Sequence, residues 1–148
     1  MTHLIVQQIY GIALTALACT LSLGISVARA DVVAVVSSQS QITTLTRTQV
    51  MDIFLGKRTR FPDGSSAIPI DQAEGSAARA EFYTRLADMS PAQLKSFWSR
   101  IIFTGRGQPP KTVATDLEAK RLLLADPNSI GYIDRSLVDS SVRVVLAP

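Results

Sequence analysis

The sequence of 148 residues has one cysteine and one histidine, Cys19 and His3, and both lie within its first thirty residues. From residue 31 onward there is therefore no disulfide, no thiol nucleophile and no imidazole base. A nucleophilic serine needs such a base, and the letters AEGSA at positions 73–77 depart from the G-x-S-x-G pattern of serine hydrolases. We therefore expect a protein that is not an enzyme and has no cofactor.

Metal-ligand spacing is also lacking among the carboxylates. We predict that they cap helices or face solvent; those considered are Asp52, Asp63, Asp71, Glu74 and Glu81. Charges of both signs are interspersed, and the net charge of +3 falls to +2 once Arg29 is left out with the first thirty residues. No cluster of Lys and Arg with interleaved aromatic residues occurs, so nucleic acid is not an expected partner and the charge weakly favours anionic ligands.

A long hydrophobic run occupies residues 4–27, which are almost free of charge and end at the small-x-small triplet 28–30. This pattern predicts a signal peptide, residues 1–30, that is cleaved after Ala30, with export of a single domain of residues 31–148 to the periplasm. Two alternatives stay open. The run is long enough to serve as an uncleaved membrane anchor. Cys19 is a possible lipidation site, although Ala rather than Leu stands three residues before it.

Hydrophobic periodicity predicts strands and helices in the order β-α-β-α-α-α-β-β. The β-branched run at 31–36 predicts a strand covered on both faces. Capping-box patterns that begin at Thr46, Ser90 and Thr115 predict three helix starts, and a further helix is predicted over 76–87. The other strands are predicted at 67–70, 130–133 and 142–146. This order favours an α/β fold, a small mixed sheet of four strands flanked by helices.

Apolar residues at helical spacing identify the helix faces that should pack on the sheet. On the first helix they are Val50, Met51, Ile53 and Phe54, before a stop at Gly56. The third helix carries Trp98, which we expect in the core. On the last helix, the residues predicted to point towards the core are Leu117, Leu122, Leu123 and Leu124.

One turn joins a predicted buried strand, which ends at Ile70, to the predicted helix that starts at Ser76. A helix start presents unpaired backbone N–H groups and the positive end of the helix dipole. Gly75 lets a ligand approach the backbone closely, and Ser76 can cap the helix or donate to an anion. The turn is therefore a candidate oxyanion cradle. The alternative is an ordinary Gly-Ser helix cap, which is a common turn.

Six segments, in this order, resemble those of periplasmic phosphate-binding proteins, the substrate-binding components of phosphate ABC transporters. They are LTRTQVMDIFLGK at 45–57, FPDG at 61–64 with IPI at 68–70, EGS at 74–76 with Arg79 and Phe82, FW at 97–98, FTGRG at 103–107 and IGY at 130–132. The resemblance extends over about residues 32–146. It implies the fold of one lobe of a periplasmic binding protein, the second, and a phosphate or similar oxyanion as ligand.

The sequence also departs from this family's pattern. The family has two lobes around the ligand, and this chain is too short for both. Gln72 stands where the family usually has an Arg, and Ala77 and Ala78 replace a Gly and a Thr. The resemblance therefore implies weak phosphate binding at most, by Ser76, the backbone near Ala77 and the offset Arg79. The full set of candidate ligand residues is Ser38, Gln72, Gly75, Ser76, Ala77 and Arg79.

These losses leave two hypotheses about partners. In the first, the chain is a solute-binding module, and a second copy in a homodimer or an envelope or transporter protein supplies the opposing wall of the site. In the second, the chain keeps the fold, has lost ligand binding and serves as a sensory or partner-binding module.

Overall fold

The computed structural model of the protein describes residues 31–148, and the predicted signal peptide lies outside them. Within this range the chain forms five strands and four α-helices. In order they are β1 (Val32–Ser37), α1 (Arg47–Phe54), β2 (Ile68–Gln72), α2 (Ala77–Ala87), α3 (Pro91–Phe103), β3 (Lys111–Val113), α4 (Asp116–Ala125), β4 (Ser129–Asp134) and β5 (Val142–Leu146). A short 3-10 turn, Arg135–Leu137, joins the last two strands. None of the helices in residues 31–148 is long and apolar enough to cross a membrane.

The strands form one mixed sheet in the order β3-β2-β4-β1-β5. Strand β2 pairs in parallel with β3 and β4, whereas β1 runs antiparallel to both β4 and β5. The predicted α/β class, with a small mixed sheet flanked by helices, is confirmed. Because β1 and β2 run in opposite directions, the end of β1 and the end of β2 lie at opposite ends of the sheet.

The alternation of side chains along β1 divides the core into two layers. All six residues of β1 are buried, as predicted for a strand covered on both faces. Val32, Ala34 and Val36 pack with α1, α2 and α3 on one face, and Val33 and Val35 pack with α4 on the other. The largest aromatic cluster lies on the first face. There the rings of Phe82 and Tyr132 stack with centroids 3.9 Å apart.

Most of the predicted helix starts are confirmed. Thr46 and Ser90 form complete capping boxes with the Gln three residues later. The third predicted box is wrong in one half. Thr115 accepts the N–H of Glu118, but the Glu118 carboxylate accepts the N–H of Ala114 and not that of Thr115. The helix still gains its cap, because Thr115 alone satisfies one of the free N–H groups of the first turn.

The prediction that four leucines of α4 point towards the core is wrong for two of them. Leu123 is fully buried, and Leu122 is half-buried against the same layer. Leu117 is 76% exposed and Leu124 is 45% exposed. Only one side of a single helix faces the sheet, and the run of three consecutive leucines extends around more of the helix than that side.

The prediction of four strands is also wrong, because the sheet has five. The missed strand, β3, is three residues long and follows two prolines at 109–110. It pairs in parallel with β2 from Ile70 to Gln72. A segment this short carries no readable alternation of its own, and it forms a strand because the edge of β2 provides hydrogen-bonding partners.

Candidate functional site

The turn between β2 and α2 lies at the carboxyl end of β2. Gly75 has φ +89°, a left-handed conformation that glycine adopts without strain. Ser76 is the N-cap of α2, and its Oγ accepts the N–H of Arg79 at 3.1 Å. The next two N–H groups, of Ala77 and Ala78, have no hydrogen-bond partner within residues 31–148. The turn therefore presents free donors at the positive end of an eleven-residue helix.

Of these two residues, Ala77 borders a cavity of about 160 Å³ between α2 and the start of α3. The candidate residues that line it are Gly75, Ser76, Ala77 and Arg79. The rest of its lining is formed by Ala80, Tyr83, Pro91 and Leu94. The structure thus brings four of the six candidate residues together around one small cavity, which we call the cradle.

The Arg79 side chain is only 14% exposed, and a buried carboxylate holds it in place. Its Nε lies 3.1 Å from Oδ2 of Asp71, a residue with no exposed surface. The guanidinium carbon lies 5.6 Å from the centre of the Tyr83 ring. Both terminal nitrogens are without a hydrogen bond to any of the described residues. Asp71 therefore fixes one edge of the guanidinium and leaves the other edge for a ligand.

The Asp71 carboxylate accepts three further hydrogen bonds. Tyr83 donates its hydroxyl to Oδ2 at 3.0 Å, and Tyr132 donates to Oδ1 at 2.5 Å. The backbone N–H of Gln72 also donates to Oδ1, at 2.8 Å. A buried carboxylate is tolerated only when it is paired and hydrogen-bonded. Each of the two carboxylate oxygens of Asp71 accepts two hydrogen bonds, so both requirements are met. We call these four side chains, of Asp71, Arg79, Tyr83 and Tyr132, the Asp71 network.

The Asp71 network changes the acid-base properties of its members. Burial raises the pKa of Tyr83 and of Tyr132 well above the ordinary value of a phenol, and the nearby Asp71 carboxylate raises both further. Burial lowers the pKa of Arg79, but Asp71 outweighs this effect, and the pKa ends above its usual value. The two phenols and the guanidinium therefore keep their protons, so Arg79 remains a cation next to the cradle.

The prediction that Asp71 caps a helix or faces solvent is wrong, and sequence reasoning also missed the roles of Tyr83 and Tyr132. Part of the signal was present in the sequence. Arg79 and Tyr83 are four residues apart, which places them on one face of a helix, and Asp71 directly follows the strand predicted at 67–70. What the sequence could not supply is the position of Tyr132, which reaches Asp71 from the neighbouring strand β4.

The other two candidate residues lie outside the cradle. Gln72 is buried and donates its side-chain amide to Asp116 and to the backbone carbonyl of Tyr132. Its Oε1 accepts only a long hydrogen bond of 3.5 Å from Ser76. Gln72 therefore supports the turn from behind. Ser38 follows β1 and donates its N–H to Ser141, so it lies at the opposite end of the sheet and we leave it out of the site.

The cradle has hydrogen-bond donors and little net charge. The positive charge of Arg79 is balanced by Asp71. Glu74, which precedes Gly75 in the turn, forms an exposed ion pair of 3.1 Å with Lys95. In the part of the chain that the structure describes, no group of three His, Cys, Asp or Glu residues could hold a metal ion. The arrangement can therefore hold an oxyanion by hydrogen bonds, and it offers no base next to Ser76.

Comparison with known proteins gives relatives by structure alone. No protein-family model matches the sequence, and no curated protein matches it. Among solved structures, one described as a phosphate ABC transporter substrate-binding protein with bound phosphate, from Clostridium perfringens, has a TM-score of 0.63 and 21% identity over 78% of this chain. An ABC-type phosphate transport receptor from Vibrio cholerae has a TM-score of 0.61 and 19% identity, also over 78%. PstS from Borrelia burgdorferi has a TM-score of 0.55 and 15% identity over the same share.

This chain covers 44%, 45% and 46% of those three structures, less than half of each. At these identities the likeness establishes the fold. Residues 31–148 have the fold of part of a phosphate ABC transporter substrate-binding protein, as the ordered motifs predicted. The solved structures it resembles are named as binding proteins and transport receptors.

Proposed function

We propose that the protein is a periplasmic solute-binding module that binds phosphate or a related oxyanion weakly in the cradle. One observation supports this most directly. Ser76 with its hydroxyl, Ala77 with its free N–H group and Arg79 with its guanidinium all line the same cavity of about 160 Å³. Hydroxyl, backbone N–H and guanidinium groups are the donors with which proteins hold phosphate. The fold shared with phosphate-binding proteins supports the same proposal.

We expect a weak affinity for phosphate because this turn lacks two of the ligand-binding side chains that phosphate-binding proteins usually have. The resemblance implies an Arg at the position of Gln72 and a Thr at that of Ala78, and neither Gln72 nor Ala78 replaces that contact. Each charge-assisted hydrogen bond contributes roughly 1.5–3 kcal/mol, and about 1.4 kcal/mol changes affinity tenfold. Arg79 restores one cation, but Asp71 already neutralises it. We therefore expect dissociation constants in the millimolar range for the isolated chain, unless a second copy or another protein supplies an opposing wall.

The periplasmic location depends on the predicted signal peptide of residues 1–30, which can be tested on its own. The mass of the protein purified from the periplasm, after expression of the full 148-residue chain, should correspond to a chain that begins at Asp31. A mass that includes the first thirty residues would instead support the uncleaved anchor, and an added lipid mass would support modification at Cys19.

A second candidate function is a partner-binding or sensory module that has kept the fold without ligand binding. The observation that favours it is the balance of Arg79 by Asp71, which leaves the cradle without net positive charge. The exposed leucines of α4, Leu117 and Leu124, provide an apolar surface of the kind that partners cover. In this case no oxyanion would stabilise the protein.

Thermal unfolding with phosphate, sulfate and chloride at matched ionic strength separates the two candidates. A ligand that binds the native state stabilises it by RT ln(1 + [L]/Kd), about 2.7 kcal/mol at a hundredfold excess over Kd. For a domain of this size that corresponds to a rise in Tm of several degrees. We expect phosphate to raise Tm more than chloride does. Equal Tm values in all three salts at concentrations well above the millimolar range would overturn the proposal.

A matched pair of variants locates the effect. Ser76→Ala and Ser90→Ala each remove an N-cap hydroxyl, from α2 and α3 respectively, but only Ser76 borders the cradle. We expect both variants to lower Tm by a similar amount without phosphate. The phosphate-induced rise should shrink in Ser76→Ala and persist in Ser90→Ala.

A further inference from the structure

A second cavity lies at the other end of β2, away from the cradle. It is an open groove of about 570 Å³ between the end of α1, the second half of α3 and the loop that leads into β3. Its apolar lining includes Ile53, Pro69, Phe97, Trp98 and Ile101. The Phe97 and Trp98 rings meet edge to face, with centroids 5.1 Å apart. This volume is within the range that holds small organic ligands in proteins.

Four basic residues border this groove: Lys57, Arg58, Arg106 and Lys111. Two of them form ion pairs with Asp52. Its carboxylate oxygens lie 3.8 Å from Nζ of Lys57 and 3.5 Å from Nε of Arg58. All four basic side chains belong to exposed residues. The side chains of Arg106 and Lys111 form no hydrogen bond or ion pair within residues 31–148, and only their backbones are hydrogen-bonded.

The positive charge of the protein is therefore concentrated at this groove. Four basic residues and Asp52 give a local charge of +3, whereas residues 31–148 as a whole carry +2, the +3 of the full chain less Arg29. The rest of the described chain has, in sum, a slight negative charge. An apolar cavity with cations at its rim attracts a ligand that has an apolar body and an anionic group.

Trp98 lines the groove and carries a donor without a partner within residues 31–148. It is 5% exposed, and its indole nitrogen is the one buried side-chain polar atom without a hydrogen-bond partner among the described residues. Buried N–H groups in folded proteins nearly always have an acceptor. Trp98 is therefore the groove residue whose polar atom has no acceptor among the described residues.

We propose that this groove is a second binding site, for a small organic anion with an apolar body, such as a medium-chain carboxylate. The apolar side chains of Phe97 and Ile101 contact the body of the ligand, and Arg106 and Lys111 contact its carboxylate. The site is separate from the cradle, because it lies at the amino ends of β2 and β3, and it requires no opposing lobe.

Trp98 is the only tryptophan in the sequence, so its fluorescence reports directly on this groove. The experiment titrates decanoate into the protein, expressed as the full chain, below the concentration at which decanoate forms micelles. Decanol controls for the apolar body without the charge, and acetate controls for the charge without the body. We expect a saturable change in Trp98 emission with decanoate, about tenfold weaker affinity for decanol and no change with acetate. Absence of a saturable change with decanoate, or equal affinity for decanol, would overturn the proposal.

Variants test whether the groove cations carry the effect. The double variant Arg106→Ala/Lys111→Ala should weaken decanoate binding about tenfold or more. The control Arg100→Ala/Arg121→Ala removes the same charge from exposed positions that do not line the groove, and its affinity should stay within about twofold of the parent. Equal weakening in both double variants would mean that only the overall charge matters and would overturn the site. Phosphate-dependent Tm shifts should be unchanged in the groove variant, so failure at either site can be recognised separately.

Discussion

The two ends of β2 carry two different kinds of cation. At the carboxyl end, Arg79 is nearly buried, and Asp71, which has no exposed surface, holds it in one orientation. At the amino end, Arg106 and Lys111 are exposed, and their side chains have no partner among the described residues. The first cation is fixed and neutralised. The second pair is exposed, and no acidic side chain among the described residues pairs with it.

This difference separates orientation from attraction. A guanidinium anchored through Nε presents its remaining N–H groups in one geometry, which favours a compact oxyanion that fits it. Unpaired exposed cations impose no such geometry, and they act by long-range attraction that salt screens. We therefore expect the cradle to discriminate among anions by shape and the groove to discriminate by charge together with apolar surface.

The largest expected effect comes from breaking the Asp71 network. Asp71→Ala leaves Arg79 without its partner in a mostly buried position and removes the acceptor of two tyrosine hydroxyls. Removing one partner of a buried charge pair typically costs about 3–5 kcal/mol, so the free energy of unfolding in urea should fall by about that much. Asp63→Ala, at an exposed turn, is the control and should change it far less. A decrease of under about 1 kcal/mol in the free energy of unfolding of Asp71→Ala would show that the Asp71 network does not stabilise the carboxyl end of β2.

The next effect is a loss of stability at high pH. Burial and the Asp71 carboxylate raise the folded-state pKa of Tyr83 and Tyr132 above that of the unfolded chain, which is near 10. The stabilisation is therefore complete below about pH 10 and is lost as the pH rises above it, at up to about 1.4 kcal/mol per pH unit for each tyrosine. Urea unfolding between about pH 8 and pH 11 should reveal this decline.

Tyrosinate absorbance provides the check on that prediction. Both tyrosines in residues 31–148 belong to the network, so in the cleaved protein no phenol should ionise near pH 10 while the fold is intact. The double variant Tyr83→Phe/Tyr132→Phe should be less stable at neutral pH but should lose this extra alkaline sensitivity. Ionisation of either tyrosine near pH 10 in folded protein would contradict the buried network.

A smaller effect is expected at the cap of α2. Ser76→Ala removes the acceptor for the N–H of Arg79 and should lower the free energy of unfolding by about 1 kcal/mol. Circular dichroism during urea unfolding measures this loss. An unchanged free energy of unfolding would mean that water replaces the Ser76 hydroxyl as acceptor at no cost. It would contradict the description of this turn as a rigid cradle.

The smallest effect is expected at the groove. Arg106→Ala/Lys111→Ala removes two exposed charges without partners, and surface changes of this kind usually alter stability by less than about 0.5 kcal/mol. Thermal unfolding at low and high salt checks this. A loss comparable to that of Asp71→Ala would show that the groove cations are structural after all, and the contrast between the two ends would disappear.

The parts of this fold that depend on local chemistry could be predicted from the sequence. The caps at Thr46, Ser76 and Ser90 depend on side chains within three residues, and the burial of β1 follows from an unbroken β-branched run. The class of the fold followed from the order of these elements.

The parts that depend on distant contacts could not be predicted. In the sequence, Asp71 is a polar residue that follows a predicted strand. Its role depends on Tyr132, which is 61 residues away in the sequence and lies next to Asp71 only because β4 neighbours β2. Strand β3 exists because β2 leaves an edge free for it. Leu117 is apolar and is therefore predicted to lie in the core. It is exposed because of the orientation of α4 on the sheet, which the sequence does not reveal.

Amide chemical-shift mapping with phosphate tests the central claim most directly. Phosphate is titrated into the protein while the backbone N–H signal of each residue is followed, with chloride at equal ionic strength as the reference. We expect the largest saturable changes at Gly75, Ser76 and Ala77, which line the cradle, and at Ala78, whose free N–H group follows them. We expect small, unsaturated changes at Arg106 and Lys111. Saturable changes centred on the groove, or none at residues 75–78, would contradict this claim.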